Sequence, residues 1–423
     1  MDGKSEEVIN KMSNDRRKFV IIAQLRAAMC RAGLIIAIIF MNMIKVVADD
    51  KIPFVKGVLE PYASVTYMDG RQIDHAAVEK ADALIVRTRT ICNESLLLGS
   101  TVKFVATATI GFDHIDTAFC DAHAIKWVNA PGCNAASVQQ YIASVLATLS
   151  VKHDFPLSGK TIGIVGAGHV GKKVKALAGL LGMRVLLNDP PRARYEGDPE
   201  FVSLEKLLNE SDIVTLHVPL NMTGEDRTFH LINKHSLKMM KDGSWLINSS
   251  RGEVADSHDL KIALDGGKLR GAIIDVWEHE PEIDSQLLEK VTIATPHIAG
   301  YSADGKRNGT VHAVKALGQH FNLPVTTWEP SEMPLPSAPV LIINCTDQLV
   351  EKIICKAILH TYNVTEEDTR FRSSPGDFEA QRGNYPVRRE FPAFQVKLIN
   401  STAGTKEILK LLGFSVIENV DNK

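Results

Sequence analysis

The chain has 423 residues, of which 45% are hydrophobic and 23% are charged, as is usual for globular proteins. Its formal net charge of -2 gives no electrostatic reason to expect binding to nucleic acid or to an anionic membrane surface. Six cysteines occur without a CxxC pair, so we expect no metal site and no disulfide framework, and we favour a reducing, cytoplasmic location. The length predicts two or three domains.

The N-terminal segment differs in composition from the rest of the chain. Residues 1–33 are polar and basic, and residues 34–40 form an apolar run that is too short to span a bilayer comfortably. No small-residue cleavage site follows that run. We therefore expect residues 1–42 to be a non-catalytic extension, with the folded protein beginning near Met43.

From Ile44 onward, short apolar strands alternate with helical stretches, which indicates an α/β protein with parallel sheets. A long helix is expected over residues 135–151, and a proline-rich connector over residues 328–339. The pattern predicts two doubly wound units before residue 325 and a small α/β module after it. The predicted strands are 44–48, 83–86, 104–106, 127–129, 161–165, 184–187, 212–217, 245–248, 272–275, 292–294, 340–344 and 394–398.

A glycine-rich loop between a predicted strand and a predicted helix has the spacing of a dinucleotide-binding fingerprint. In it, Gly166 makes the tight turn, Gly168 lets the backbone approach a pyrophosphate, and Gly171 lets the helix pack on the strand. Helix N-terminal amides, from His169 and Val170 onward, then face the phosphates. The next strand is followed by Asp189, which would accept hydrogen bonds from a ribose, so we expect NAD rather than NADP.

Three polar residues follow predicted strands of this same unit. Arg251, Glu280 and His297 come after strands 245–248, 272–275 and 292–294, at the edge where parallel sheets bind ligands. Together they can oxidise a 2-hydroxy acid. The arginine holds the carboxylate, the histidine takes the hydroxyl proton, and the glutamate supports the histidine as a base.

These stretches resemble the D-2-hydroxyacid dehydrogenases over about residues 44–322. The resemblance implies that Arg251 binds the substrate carboxylate and that Glu280 and His297 form the acid/base pair. It also implies cofactor contacts from Val218, Asp275 and Gly300.

The resemblance further implies a Rossmann-type cofactor domain inserted in a flavodoxin-like substrate domain. The expected domains are 44–134 and 300–323 for the substrate, 135–299 for NAD, and 335–423 for a C-terminal α/β dimerisation domain. The chain would accordingly form a homodimer.

Within that family, three features resemble the members that oxidise 4-phospho-D-erythronate in pyridoxal phosphate synthesis. They are the Tyr301-Ser302 pair, the hydroxyl and cationic residues near 87–88 and 107–109, and the stretch 378–391. By resemblance, Arg87, Thr88, Thr109 and Tyr301 line the site of a small phosphorylated hydroxy acid. Further cations for the phosphate are Arg388 and Arg389, if the tail reaches a neighbouring active site.

Two other functions stay open at this point. One is another D-2-hydroxyacid dehydrogenase, such as one acting on D-3-phosphoglycerate. The second is an NADH-sensing interaction protein built on the same two domains, without turnover of a small acid.

Overall fold

The structure is a computed structural model that describes residues 43–197 and 199–417. Within these residues, three β-sheets are present and every strand pairing in them is parallel. The predicted α/β class is therefore confirmed. The expectation for residues 1–42 lies outside the described residues. None of the helices in the described ranges combines the length and hydrophobicity that a bilayer span requires.

The first sheet has the strand order β2-β1-β3-β4-β5, which is the order of flavodoxin-like folds. The central strands β3 and β4 are apolar and fully buried, as expected for a sheet covered on both faces. The strands of this sheet are Ile44–Asp49 (β1), Ala63–Met68 (β2), Ala83–Val86 (β3), Phe104–Thr107 (β4) and Lys126–Val128 (β5). The helices between them are His75–Val78, Glu94–Leu97 and Thr117–Ala122.

The second sheet has six strands in the order β11-β10-β9-β8-β6-β7. Phe201 forms an isolated parallel bridge with Leu187 beside the edge strand β7. With Phe201 counted as a reduced third strand, the order is that of a Rossmann fold. The strands are Thr161–Val165 (β6), Arg184–Asn188 (β7), Ile213–Leu216 (β8), Ser244–Asn248 (β9), Leu269–Ile274 (β10) and Ile293–Ala294 (β11). The helices are Ala135–Lys152, His169–Leu180, Pro190–Glu196, Leu204–Glu210, Lys234–Met239, Ser257–Asp265, Ser285–Lys290 and Ala303–Phe321.

The third sheet belongs to the C-terminal module. This module packs on the helices of the second sheet through a helix pair. Helix Val350–Thr361 lies along helix Ala135–Lys152, and the hydroxyl of Ser144 donates to the carbonyl of Tyr362 at 2.8 Å. The strands are Val340–Asn344 (β12), Gln395–Ile399 (β13) and Ser415–Ile417 (β14). The helices are Val350–Thr361, Val364–Ser373, Phe378–Gly383 and Ala403–Leu412.

Tertiary contacts divide the chain into two compact units. Among the described residues, the first unit comprises 43–128 and 313–328, and the second comprises 129–312 and 329–417. The chain thus leaves the first unit after its last strand and returns to it within the helix Ala303–Phe321. The finer domain boundaries expected from the sequence stay predictions.

Candidate active site

The three residues of the predicted catalytic set lie in the loops that follow β9, β10 and β11. These strands are neighbours in the second sheet and run parallel, so their carboxyl ends share one edge. Arg251, Glu280 and His297 therefore belong to one compact unit. These residues were predicted because each follows a strand in the sequence. The sheet topology shows that the three strands are parallel neighbours, so the residues lie at one edge of the sheet.

The loop carrying Arg251 is packed directly against the loop carrying Glu280. A Cβ atom on Gly252 would lie 2.0 Å from the carbonyl carbon of Trp277, so only glycine fits at that contact. Asn248 stabilises the same loop, because its amide donates to the carbonyl of Arg251 at 2.9 Å. The guanidinium of Arg251 donates to the carbonyl of Ser250 at 2.8 Å. This packing fixes the backbone on which the arginine is mounted.

Glu280 and His297 form a hydrogen-bonded pair. The Nδ1 atom of His297 lies 2.8 Å from Oε2 of Glu280, and the backbone amide of Trp277 donates to Oε1 at 2.9 Å. A carboxylate at Nδ1 assigns the proton to that nitrogen, which leaves the lone pair on Nε2. Among the described residues none is bonded to Nε2, and the His297 side chain is 30% exposed. The pair can therefore take a proton from a bound hydroxyl.

The carboxylate of Glu280 is kept ionised in a largely buried position. Burial raises the pKa of Glu280, but the charge and hydrogen bond of His297, the Trp277 amide and the charge of Arg382 together bring that pKa below its ordinary value of 4.5. An ionised glutamate next to Nδ1 stabilises a protonated imidazole. That is the electrostatic requirement for a histidine that alternates between base and acid.

The loop carrying His297 is anchored by a buried carboxylate, Asp275. It accepts hydrogen bonds from the hydroxyl of Thr295 at 2.6 Å and from the amides of Ile298 and Ala299 at 2.8 and 2.9 Å. Burial raises the pKa of Asp275, and these donors offset part of that cost. Because His297 itself has a positive φ of 55°, which only neighbouring contacts can hold, this anchor fixes the geometry of the base.

Tyr301 lies against side chains from the C-terminal module that sequence reasoning did not single out. The ring of Tyr385 meets the Tyr301 ring edge-on at 5.9 Å between centroids. The guanidinium of Arg382 lies 5.6 Å from the centre of the Tyr301 ring, and the ammonium of Lys306 lies 4.9 Å from it. Arg382 and Tyr385 are within the stretch 378–391 that was recognised as a whole, but no local pattern marks either position.

Arg388 and Arg389 are bound within their own chain. Arg388 is buried, donates to the carbonyl of Ala299 at 2.6 Å, and stacks 4.4 Å from the ring centre of Tyr362. The guanidinium of Arg389 contacts both oxygens of Asp304, at 2.9 and 3.1 Å. Both arginines therefore brace the segment that follows His297. These contacts are an alternative to the phosphate role suggested for the two arginines from the sequence.

The glycine loop has the shape expected for a dinucleotide-binding turn. Gly166 has a φ of +91°, and a Cβ there would lie 2.5 Å from the carbonyl oxygen of His217 and 2.9 Å from the side chain of Val218. A Cβ on Gly171 would lie 2.1 Å from the carbonyl oxygen of Gly166, whereas the space beside Gly168 is open. Close packing at two glycines and free space at the middle one fit a pyrophosphate above the helix that begins at His169.

The carboxylate of Asp189 follows β7 and lies at the rim of this loop. Its Oδ2 accepts from the amide of Ala167 at 2.8 Å, and its Oδ1 accepts from the amide of Arg192 at 3.2 Å. Asp189 is thus fixed next to the glycine turn, as a ribose-binding carboxylate requires. Gly300, another expected cofactor contact, lies against Asn134, since a Cβ on Gly300 would be 2.3 Å from that amide nitrogen.

In the first unit, Arg87, Thr88 and Thr109 follow the adjacent strands β3 and β4. Arg87 makes a two-point ion pair with the buried Asp49, at 2.9 and 3.1 Å, and its Nη1 has no partner within the described ranges. Thr88 is exposed. The hydroxyl of Thr109 bonds that of Thr107 at 2.7 Å, and His114 bonds Thr107 at 3.1 Å. The Asp49 and His114 contacts were not predicted from the sequence.

No group of three histidine, cysteine, aspartate or glutamate side chains in residues 43–197 and 199–417 is arranged to hold a metal ion.

Comparisons with known proteins agree with this geometry. The sequence model of the D-isomer specific 2-hydroxyacid dehydrogenase NAD-binding domain matches residues 139–299, and that of a domain of unknown function (DUF3410) matches residues 334–413. Among solved structures, the D-lactate dehydrogenase of Aquifex aeolicus, complexed with NAD and lactic acid, is 26% identical with a TM-score of 0.55. That similarity covers 66% of this chain and 95% of the solved one. The fold is that of an NAD-dependent oxidoreductase.

Relatives with higher sequence identity define the group of dehydrogenases to which the chain belongs. The erythronate-4-phosphate dehydrogenase of Bacteroides thetaiotaomicron is 48% identical, over 83% of this chain and 99% of that protein. The enzyme of the same name from Porphyromonas gingivalis is 41% identical, over 88% of this chain and 99% of that protein. The chain belongs to the erythronate-4-phosphate dehydrogenases, within the D-isomer specific 2-hydroxyacid dehydrogenase family. The family predicted from the sequence is confirmed.

Proposed function

We propose that this chain oxidises 4-phospho-D-erythronate at C2, with NAD as hydride acceptor, to (R)-3-hydroxy-2-oxo-4-phosphooxybutanoate. The observation that carries the chemistry is the 2.8 Å bond between Glu280 and His297, with Nε2 of the histidine left for substrate. Full-length relatives named for erythronate-4-phosphate support the choice of substrate. The reaction supplies an intermediate of pyridoxal phosphate synthesis.

The catalytic residues bind the substrate carboxylate and accept the C2 hydroxyl proton. Arg251 pairs its planar guanidinium with the substrate carboxylate and the C2 oxygen, which orients C2 for reaction. His297 accepts the C2 hydroxyl proton at Nε2 while its Nδ1 proton stays bonded to Glu280. The imidazolium that forms is balanced by the ionised Glu280. The glycine loop would hold NAD, which would supply the acceptor for the C2 hydride as the C2–O bond becomes a carbonyl.

The cofactor would be held by the glycine loop and its neighbours. Gly166, Gly168 and Gly171 shape the turn, and the amides at the start of helix His169–Leu180, including those of His169 and Val170, face the pyrophosphate. The carboxylate of Asp189 would bind the adenosine ribose and repel a 2′-phosphate. Val218, Asp275 and Gly300 would border the nicotinamide end.

The proposed substrate contacts are Tyr301, Thr88, Thr109 and Arg87. Tyr301 follows the His297 loop in the second unit, and Thr88 and Thr109 supply hydroxyls at the strand ends of the first. Arg87 is the proposed cation for the phosphate, through the Nη1 atom that Asp49 leaves open.

The proposed assembly is a homodimer formed through the C-terminal domain. On the open face of the third sheet, Ile342, Lys397 and Ile417 lie in one cross-strand row. Val340, Ile342 and Ile417 are 48%, 58% and 38% exposed, respectively. Exposed apolar side chains that share one sheet face, here around Lys397, are a candidate dimer contact.

The proposed location is the cytoplasm, where thiols stay reduced. The cysteines at positions 92, 120, 133, 345 and 355 are unpaired in the described residues, and four of these five are buried.

A substrate panel tests the proposal. The purified chain is incubated with NAD and, in separate reactions, with 4-phospho-D-erythronate, D-3-phosphoglycerate and D-lactate, and NADH formation is followed. We expect the highest kcat/KM for 4-phospho-D-erythronate. Preference for another acid would assign a different dehydrogenase, and NADH binding without turnover of any acid would favour a sensing protein.

A further inference from the structure

The C-terminal domain places a charged side chain against the ring of Tyr301, in the segment that follows His297. Arg382 lies on helix Phe378–Gly383, inside the stretch that matches a domain of unknown function. Its side chain is only 12% exposed, although it carries a permanent charge. Burying an arginine is costly unless nearby groups compensate its charge. The groups that compensate the buried charge of Arg382 therefore indicate the role of this residue.

The compensating groups belong to the active site as well as to the arginine's own helix. Nη1 of Arg382 contacts the carboxylate of Glu379 at 3.1 Å, and the guanidinium lies 5.6 Å from the ring centre of Tyr301. Its Nε is buried and has no hydrogen-bond partner in the described part of the chain. Burial lowers the pKa of Arg382, but Tyr301, Glu280 and Glu379 raise it above its ordinary value.

The same interaction acts on the carboxylate of Glu280. The pKa of Glu280 is lowered mainly by the charge and hydrogen bond of His297 and, to a smaller extent, by the charge of Arg382. The charged groups that face Tyr301 are Lys306 and Arg382, with Tyr385 against the ring edge. The charge of Asp275 also interacts with that of His297, and the charge of Arg382 acts on both Glu280 and Tyr301.

We propose that Arg382 is a positioning residue of the active site, whose buried guanidinium fixes the ring of Tyr301 and adds a positive charge to the surroundings of the Glu280–His297 pair. The inference rests on the roles proposed above for Glu280, His297 and Tyr301. It assigns a part in catalysis to the C-terminal domain, beyond assembly. The domain acts through charge and packing and need not touch the substrate.

The test is the pH dependence of kcat/KM for hydroxy-acid oxidation. In the Arg382→Gln protein, loss of the cation makes protonation of the Glu280–His297 pair easier, so the acidic limb moves to higher pH by about half to one unit. Arg382→Lys keeps the charge and should keep the wild-type limb, while losing part of the planar contact with Tyr301. NADH affinity, measured by fluorescence, should change less than about twofold, because Arg382 contacts Glu379, Tyr301 and Phe378 and not the glycine loop or Asp189.

A matched control is Arg372→Gln in the same domain. Arg372 pairs with Asp368 and donates to the carbonyls of Leu288 and Val291, so its loss should lower thermal stability and leave the acidic limb in place. Coincident limbs for wild type and Arg382→Gln, with only a lower melting temperature, would overturn the proposal.

A second variant covers the case in which Arg382→Gln does not fold. Glu379→Gln removes an anion beside the guanidinium, leaves more of its charge to act on Glu280, and should move the limb to lower pH. A limb that does not move, or that moves upward, would contradict the inference. The profile is measured with whichever 2-hydroxy acid the wild type oxidises, so a wrong substrate assignment would not affect this test.

Discussion

Gly252 lies so close to Trp277 that a Cβ atom on the glycine would be 2.0 Å from the tryptophan carbonyl carbon. This contact joins the loop of Arg251 to the loop of Glu280. The indole of Trp277 in turn donates to the carbonyl of Thr295 at 3.0 Å, next to the loop of His297. The relative positions of the catalytic set therefore depend on backbone packing at one glycine.

Gly252→Ala should displace the Arg251 loop without removing any functional side chain. A misplacement of about 1 Å lowers rates by roughly 10²-fold, so we expect a loss of that size in kcat/KM. The control is Gly179→Ala, at an open position on helix His169–Leu180, where alanine should stabilise the helix by up to about 1 kcal/mol. Steady-state kinetics and thermal melts compare the two. Wild-type kinetics in Gly252→Ala would show that the contact is not needed.

His114 should make stability depend on pH. Burial lowers the pKa of His114 to about 4 from its ordinary value of 6.5, although the nearby Asp113 acts in the opposite direction. Between these values the unfolded chain binds a proton that the folded chain does not. The free energy of unfolding therefore falls as pH drops from 6.5 to 4, by roughly 3 kcal/mol at most.

The His114→Gln protein should lack this contribution, since an amide can still bond Thr107 but does not titrate. Urea denaturation at pH 7 and pH 5 measures the difference. Equal losses of stability in both proteins between these pH values would count against the assignment.

The contacts of Arg388 and Arg389 predict a structural role. Arg389→Ala removes the pairing with Asp304, and Arg388→Met leaves the buried carbonyl of Ala299 without its donor, which costs about 1–3 kcal/mol. We expect lower stability in both variants, with kcat affected more than the KM for the phosphorylated acid. A selective rise in that KM, with an unchanged melting temperature, would instead indicate that these arginines reach the phosphate.

If the chain dimerises through the open face of the third sheet, a charged substitution on that face should change its oligomeric state. Ile342→Asp should produce monomers, because burying a charged side chain in the contact has a desolvation cost that pairing with the neighbouring Lys397 would not fully offset. The control is Ile262→Asp, at a residue of similar exposure (55% against 58%) on helix Ser257–Asp265. Light scattering coupled to size exclusion gives the mass of each protein. A dimeric Ile342→Asp protein would place the interface elsewhere.

The sequence was most informative where a residue directly follows a buried strand. Strands β6, β9 and β10 are apolar, so Gly166, Arg251 and the loop of Glu280 could be assigned to one sheet edge. The strand Ala63–Met68 was missed because it is a half-exposed edge strand with mixed residues, and Ser415–Ile417 because it is short. The Rossmann third strand is reduced to a bridge at Phe201, which has no strand-like pattern.

Long-range partners could not be read from the sequence. Arg382 lies far along the chain from Glu280, and Asp49 lies far from Arg87. Local periodicity carries no information on such pairs. The resemblance of residues 378–391 singled out the segment that contains Arg382, but it did not predict the contact of Arg382 with Tyr301.

The proposed mechanism requires that His297, held by Glu280, takes the proton from the substrate hydroxyl. The most direct measurement is the turnover of 4-phospho-D-erythronate with NAD by His297→Ala, beside His258→Ala as an exposed-histidine control. We expect His297→Ala to lose about 10²- to 10⁴-fold in kcat while NADH binding is retained, and the control to match wild type. A near-wild-type rate in His297→Ala would show that His297 is not the base.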